Sequence, residues 1–179
     1  MNPLRFVTTP VLYACLATSP CYATDYLTIE QAQKLMFPSA VEFEVAHTVF
    51  TNQQKIQIEA STGLSVMNRA QKIWRAHGEK DEFIGWFVVD YVVGKHMLID
   101  YAIAIDANRT VKEVEILSYR ESYGGEIRSE NWLHQFDGKS KDSAVTLNRD
   151  ITNIGGATLS SRHVTEGVKR VLATINVTQ

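Results

Sequence analysis

Phe83-Ile84-Gly85-Trp86-Phe87-Val88-Val89-Asp90-Tyr91-Val92-Val93, followed by Gly94-Lys95 and then His96-Met97-Leu98-Ile99-Asp100-Tyr101-Ala102-Ile103-Ala104-Ile105, carries the strongest structural signal in the chain. Both runs are rich in aromatic and β-branched side chains, which suit a pleated, packed surface, and Gly94-Lys95 is a hairpin turn signal between them. A third run, Thr110 to Leu117, places Val111, Val114 and Ile116 in imperfect alternation after the turn residues Asp106-Ala107-Asn108-Arg109. The spacing predicts a meander, and hence an antiparallel sheet.

On either side of this core the signals become helical. Thr28 with Gln31 forms a capping-box pair, Ile29, Ala32, Leu35 and Met36 recur at helical spacing, and Phe37-Pro38 ends the run. Thr51 with Gln54 repeats the capping signal ahead of Ile56, Ile58 and Ala60, closed by Gly63; the alternation at 56, 58 and 60 leaves a strand as the second reading. Between them, Val41 to Phe50 reads as a short strand or irregular chain, with Phe43, Val45 and Val49 on one side. From Ser118 to Asn153 the chain is polar apart from Trp132 to Phe136, which suggests a helical turn packed by its aromatics. Ser161 to Ile175 spaces Val164, Val168, Val171, Leu172 and Ile175 as one face of a helix that Ser160 or Ser161 can cap. The fold class is α+β, a single domain with an antiparallel sheet flanked by helices and a C-terminal helix.

The chain has 179 residues, 45% apolar and 21% charged, with 18 Lys plus Arg against 20 Asp plus Glu. That composition excludes disordered and fibrous classes, and the scattered basic residues give no electrostatic footprint for nucleic acid. Met1 to Arg5, the short apolar run Phe6 to Leu16 and the small-residue end at Cys21-Tyr22-Ala23 read as a signal peptide over 1–23, which predicts a periplasmic or otherwise extracytoplasmic protein. Leu12-Tyr13-Ala14-Cys15 partly resembles a lipid-attachment site, but Tyr13 fits it poorly, so a lipid anchor is the weaker reading. Cys15 and Cys21 both fall in this segment, so residues 24–179 offer no disulfide, no thiolate metal site and no covalent haem. The five histidines, His47, His77, His96, His134 and His163, show no paired metal-ligand spacing. There is no P-loop, no Gly-x-Ser-x-Gly elbow and no dinucleotide fingerprint. Trp74, Trp86 and Trp132 read as core residues before cofactor-lining ones.

The remaining candidate is the junction Asn153-Ile154-Gly155-Gly156-Ala157-Thr158-Leu159-Ser160-Ser161. Its glycines permit positive φ and close approach of the backbone, Ala157 leaves room, and the following helix contributes free N–H groups and its positive dipole end. Such a nest suits a phosphate, with the hydroxyls of Thr158, Ser160 and Ser161 as further donors. A Gly-Gly turn before a helix also serves as a plain connection, so the motif alone leaves both readings open.

Gly156-Ala157-Thr158-Leu159-Ser160-Ser161 with Val164 and Val168 resembles the attachment motif of the FMN-binding domain family, which includes peripheral subunits of bacterial sodium-pumping and electron-transfer complexes. Arg120-Glu121-Ser122-Tyr123-Gly124-Gly125-Glu126 resembles that family's second signature, and Phe136-Asp137-Gly138-Lys139 its Phe-x-Gly-Lys element; the likeness spans roughly Gly85 to Ile175. The resemblance implies FMN carried on Thr158 through a phosphoester bond, installed by a flavin transferase that takes the FMN moiety from FAD. It implies that Gly155, Gly156 and Ala157 shape the approach and that Leu159, Ser160 and Ser161 flank the phosphate or ring. It places Glu121, Ser122, Tyr123 and Gly124 near the isoalloxazine or ribityl chain.

Two positions depart from the pattern. Gly155 stands where the family usually has Ser or Thr, and Thr152 where it commonly has Asp, with Asp150 two residues further back. These departures bear on covalent attachment more than on flavin binding. Residues 24–179 are thus expected to form an FMN-binding domain with a helical extension over approximately 24–80. It would carry electrons between redox protein partners, membrane-bound ones included, without turning over a substrate of its own. The alternatives are a flavin-free interaction module, which the two departures favour, and a stand-alone flavin reductase, against which the missing dinucleotide fingerprint argues.

Overall fold

The computed structural model describes residues 24–66, 70–121 and 123–179. The signal peptide expected over 1–23, its cysteines Cys15 and Cys21, and the expected site residue Ser122 lie outside the described residues. In chain order the elements are β1 (Thr24–Asp25), α1 (Ile29–Met36), β2 (Glu42–Val45), β3 (Thr48–Val49), α2 (Asn52–Thr62), β4 (Ala70–His77), β5 (Phe83–Val93), β6 (Leu98–Asp106), β7 (Val111–Tyr119), α3 (Glu130–Leu133) and α4 (Thr158–Thr178). Short 3₁₀ turns, Gly125–Arg128 and His134–Phe136, flank α3.

The strands form an antiparallel sheet in the order β1-β7-β6-β5-β4-β2, with β3 pairing β4 off that path. The predicted hairpin is β5 and β6, in register from Gly85 opposite Asp106 to Val93 opposite Leu98. Its link is longer than Gly94-Lys95: it spans 94–97, closed by the Gly94 N–H donating to the Met97 carbonyl at 2.8 Å. The turn into β7 follows from Asp106, whose carboxylate accepts the N–H groups of Asn108 and Thr110, both at 2.9 Å.

Period-two alternation splits β6 between two cores. Ile99, Tyr101, Ile103 and Ile105 pack with Val164, Val168, Val171 and Ile175 of α4. Ala102 and Ala104 face the other way, where their small size admits Phe87, Met36 and Phe37 beneath α1. A strand buried on both faces is the centre of the molecule, and each large apolar side chain buried there contributes about 1.5–3 kcal/mol. α2 packs against α4 through Ile58 and Ala173, with Phe50, just before α2, in the same cluster.

Both capping boxes form as expected: Thr28 and Gln31 cap α1, Thr51 and Gln54 cap α2, and Gly63 ends α2 at φ 72°. The helical reading of 52–62 is therefore the one realised. Three expectations need correction. Residues 24–80 are not a helical extension, because β1 to β4 within them are hydrogen-bonded into the sheet. The sequence reading leaves 70–77 unassigned, since Lys72, Arg75 and His77 dilute the apolar signal of Ile73; cross-strand pairing with β5 and β2 makes it a strand. The last helix begins at Thr158, not Ser161, with Ala157 at its N-cap and no side chain capping it. Val41 to Phe50 splits into β2 and β3, with Phe43 packed inward while Val45 and Val49 are exposed. Among the described residues no helix is long and apolar enough to cross a membrane.

α4 lies close on the sheet at Gly167. The Tyr101 hydroxyl donates to Asp90 Oδ2 at 2.9 Å, and Arg170 reaches the same oxygen at 3.2 Å. A Cβ on Gly167 would overlap the Tyr101 hydroxyl and stand 2.9 Å from its Cζ. Further along, Asp150 organises the loop before the helix: Oδ1 accepts the Thr146 N–H at 2.8 Å, and Oδ2 accepts the Val145 N–H and the Lys139 ammonium, each at 3.1 Å. These bonds hold Val145 at φ 38°, a conformation a β-branched residue rarely adopts.

Gly167→Ala is predicted to lose about 1–3 kcal/mol of stability by overpacking, although alanine gains up to about 1 kcal/mol in helix propensity. Urea unfolding measures the net sign. For Asp150, burial pushes the carboxyl up, but the Thr146 N–H, the Lys139 side chain and the Val145 N–H outweigh it and hold it below 3.8. A depressed folded-state value means stability present at neutral pH and lost as the pH falls below 3.8. Asp150→Ala should therefore cost about 1.5–3 kcal/mol near pH 7. In unfolding curves recorded in acid, the gap to wild type should close.

Candidate functional site

The start of α4 opens into a cleft of about 570 Å³ between the hairpin tip and the loop after β7. Gly156, Ala157, Thr158, Leu159 and Ser160 line it from one element, Tyr119, Glu121 and Tyr123 from another, and Lys95 and His96 from the hairpin. The volume lies within the range of small-molecule sites.

The helix start is built as an anion site. Gly156 takes φ 85°, which lets the chain turn so that the Ala157 N–H bonds back to the Ile154 carbonyl at 3.1 Å. No Cβ on Gly156 would meet another atom within 4 Å, so the backbone there faces open space. The first intrahelical bond runs from the Ser161 N–H to the Ala157 carbonyl, 2.9 Å. Thr158, Leu159 and Ser160 thus occupy the first turn, where N–H groups have no intrahelical acceptor, and no side chain caps them. The positive end of a long helix with free donors is the arrangement that receives a phosphate.

Thr158 is exposed at the first helical position, and its hydroxyl oxygen accepts a hydrogen bond from Asn153 Nδ2 at 3.2 Å. Asn153 is fixed in turn by the Ser161 hydroxyl, which donates to its Oδ1 at 2.8 Å. Asn153 is the residue that sequence reasoning misses: it lies inside the quoted junction, five positions before Thr158, with no motif to single it out. Asp150 does not fill the place of the absent Asp at Thr152, because its carboxylate is committed to Lys139, Val145 and Thr146. Thr152 instead anchors the loop, its carbonyl accepting from Trp132 Nε1 and its N–H donating to Gln135 Oε1, each at 2.7 Å.

The other wall is set by β7. The Tyr119 hydroxyl donates to the Tyr123 carbonyl at 2.6 Å and lies 3.4 Å from Ser160 Oγ. Burial pushes this phenol above 10.0, against the opposing effect of the Ser160 hydrogen bond, so it stays a neutral donor. Gly124, at φ 89°, is required twice: a Cβ there would stand 2.7 Å from the Tyr119 hydroxyl and 3.0 Å from the Ala157 Cβ. Tyr123 is 87% exposed, so its ring is available to cover a planar ligand.

Of the expected site residues, Gly156, Ala157, Thr158, Leu159, Ser160, Glu121 and Tyr123 converge on this cleft. Gly124 and Ser161 support it from behind, Ser161 fully buried. Gly155 is exposed and adjoins the cleft without lining it. Lys95 and His96, read from sequence as plain turn residues, are part of the wall. Trp86 and Trp132 are buried in the core, and Trp74 packs edge-on against His47 and near Phe87; none of the three lines the cleft.

The donor set fits a flavin mononucleotide: an uncapped helix start and a lysine for the phosphate, with Leu159 and Tyr123 as apolar surface for a ring. Comparison with known proteins agrees. The FMN-binding domain family matches residues 94–173, which run from the hairpin tip through most of α4. A subunit of the proton-translocating ferredoxin:NAD(+) oxidoreductase complex from Clostridium ljungdahlii is 29% identical over 136 residues, covering 67% of this chain and 73% of that protein. Over the segment that builds this cleft, the chain is similar to the FMN-binding domain family and to a subunit of an electron-transfer complex.

Proposed function

We propose that the protein is an exported electron carrier that holds FMN covalently, through a phosphoester to the Thr158 hydroxyl, and passes electrons between redox proteins. The observation that carries this reading is the position of Thr158: exposed, first in an uncapped helix, with its oxygen held by Asn153 at 3.2 Å. Flavin supplies reversible electron transfer when bound; the protein's part is to orient it, tune it and control access.

The residues divide this work. The first-turn N–H groups of α4 and the Lys95 ammonium would neutralise phosphate charge. Asn153 donates to the Thr158 oxygen, leaving the hydroxyl proton free to depart. Thr158 Oγ1 would be the oxygen esterified to the FMN phosphate, the pyrophosphate of FAD breaking with loss of AMP and the hydroxyl proton passing to a base of the transferase. Two observations support attachment despite the departures: Gly155 lies outside the lining, and Asn153 supplies a side-chain contact to Thr158.

Export rests on the sequence of residues 1–23, and a covalent link suits a compartment without its own flavin supply. The relative from Clostridium ljungdahlii is by name part of a proton-translocating ferredoxin:NAD(+) oxidoreductase complex, which supports membrane-bound redox partners for this chain. A cleft open at the surface suits brief encounters with such partners.

Co-expressed with a flavin transferase, the exported protein should gain the mass of FMN less one water, and Thr158→Ala should gain nothing. Asn153→Ala should slow attachment about tenfold, the effect of losing one hydrogen bond of about 1.4 kcal/mol. Intact-mass spectrometry reads both. An unmodified wild-type mass, with no flavin released on denaturation, would leave the flavin-free interaction module in its place.

A further inference from the structure

Glu121 lines the cleft but spends its carboxylate elsewhere. One oxygen, Oε1, accepts the N–H groups of both His96, at 2.6 Å, and Met97, at 2.9 Å, across a sequence separation of 25 and 24 residues. The turn is shaped around that oxygen. A Cβ on Gly94 would stand 2.7 Å from Oε1, 3.2 Å from the Ile99 Cδ1 and 3.4 Å from the Glu121 Cγ. Gly94 does not sit in the left-handed region, so its missing side chain answers to Glu121 first, and to Ile99 behind it, and not to the backbone.

We propose that Glu121 is a positioning residue: its carboxylate latches the β5–β6 hairpin tip to the chain after β7, and thereby fixes Lys95 and His96 as cleft wall. Its effect on the cofactor rests on the flavin reading above; the latch itself does not.

Charge and geometry agree on this role. Burial pushes the Glu121 carboxyl up, but the N–H groups of His96, Met97 and Lys95, with the charge of His96, outweigh it and hold it below 4.5. The titratable groups around it are Lys95 and His96 on the hairpin and Tyr119 on β7, with Glu126 acting on the same phenol. A second tie, from the His163 ring to the Val93 carbonyl, holds the base of the turn to α4. Glu121 thus controls the tip, while His163 controls where the hairpin leaves the sheet.

The test uses the full chain. Amide hydrogen exchange at His96 and Met97 in flavin-free protein should quicken at least tenfold in Glu121→Ala. In Glu121→Gln, whose amide oxygen can replace Oε1, exchange should stay near wild type. Gly94→Ala should also quicken these amides, by crowding Oε1 out of place. Reversible FMN affinity, measured by fluorescence quenching in Thr158→Ala protein, should fall about tenfold with either loss and be retained with glutamine. Equal exchange in wild type and Glu121→Ala would overturn the latch. Unchanged FMN affinity on latch loss would overturn its role in the site. An intact exchange pattern in a chain that takes up no FMN would instead overturn the flavin reading and leave the latch standing.

Discussion

The close seating of α4 on β5 and β6 is the constraint from which the site follows. Gly167 gives up a side chain so that the helix can lie against Tyr101, and the buried Asp90 joins that tyrosine to Arg170. Removing a partner from such a buried charge is expensive, so the arrangement resists sliding or tilting. With its middle fixed, the helix can direct its first turn outward. Thr158 then stands at the cleft, and Val168 and Val171 stand in the core, on one rigid rod.

Leaving that first turn uncapped is the second choice the molecule makes. α1 and α2 each carry a complete capping box, whereas α4, the longest helix described, has none. A cap is worth about 1 kcal/mol, and its absence leaves donors and dipole available to a ligand. Behind the turn, Ser161, Asn153 and the Trp132 bond to Thr152 stiffen the loop that a bound phosphate would require to be in place. A site prepared in this way loses little ordering entropy on binding.

Much of this is legible in the sequence, for identifiable reasons. The hairpin, the meander and both capping boxes are local patterns, and local patterns survive folding. β4 is not legible, because Ile73 stands among Gln71, Lys72 and Arg75 and its strand character comes from pairing with β5 and β2. The same limit explains the helical extension expected over 24–80: its helices are local, while β1 to β4 exist only through distant partners. At the site, Thr158 and its neighbours stand out by a contiguous motif. Asn153 and Lys95 have none, and the motif around Glu121 does not tell that its carboxylate grips the hairpin. Contacts between segments, as between 96 and 121, leave no trace in spacing.

Whether Thr158 carries FMN as a phosphate diester is decided by phosphorus NMR of the full chain co-expressed with a flavin transferase. A diester has no proton to titrate near pH 6, unlike a phosphate monoester, whose second pKa is about 6. One phosphorus resonance is expected, keeping its shift from pH 5 to pH 8 and surviving denaturation and dialysis. A resonance that titrates and is lost on dialysis, or no phosphorus signal at all, would refute the covalent link.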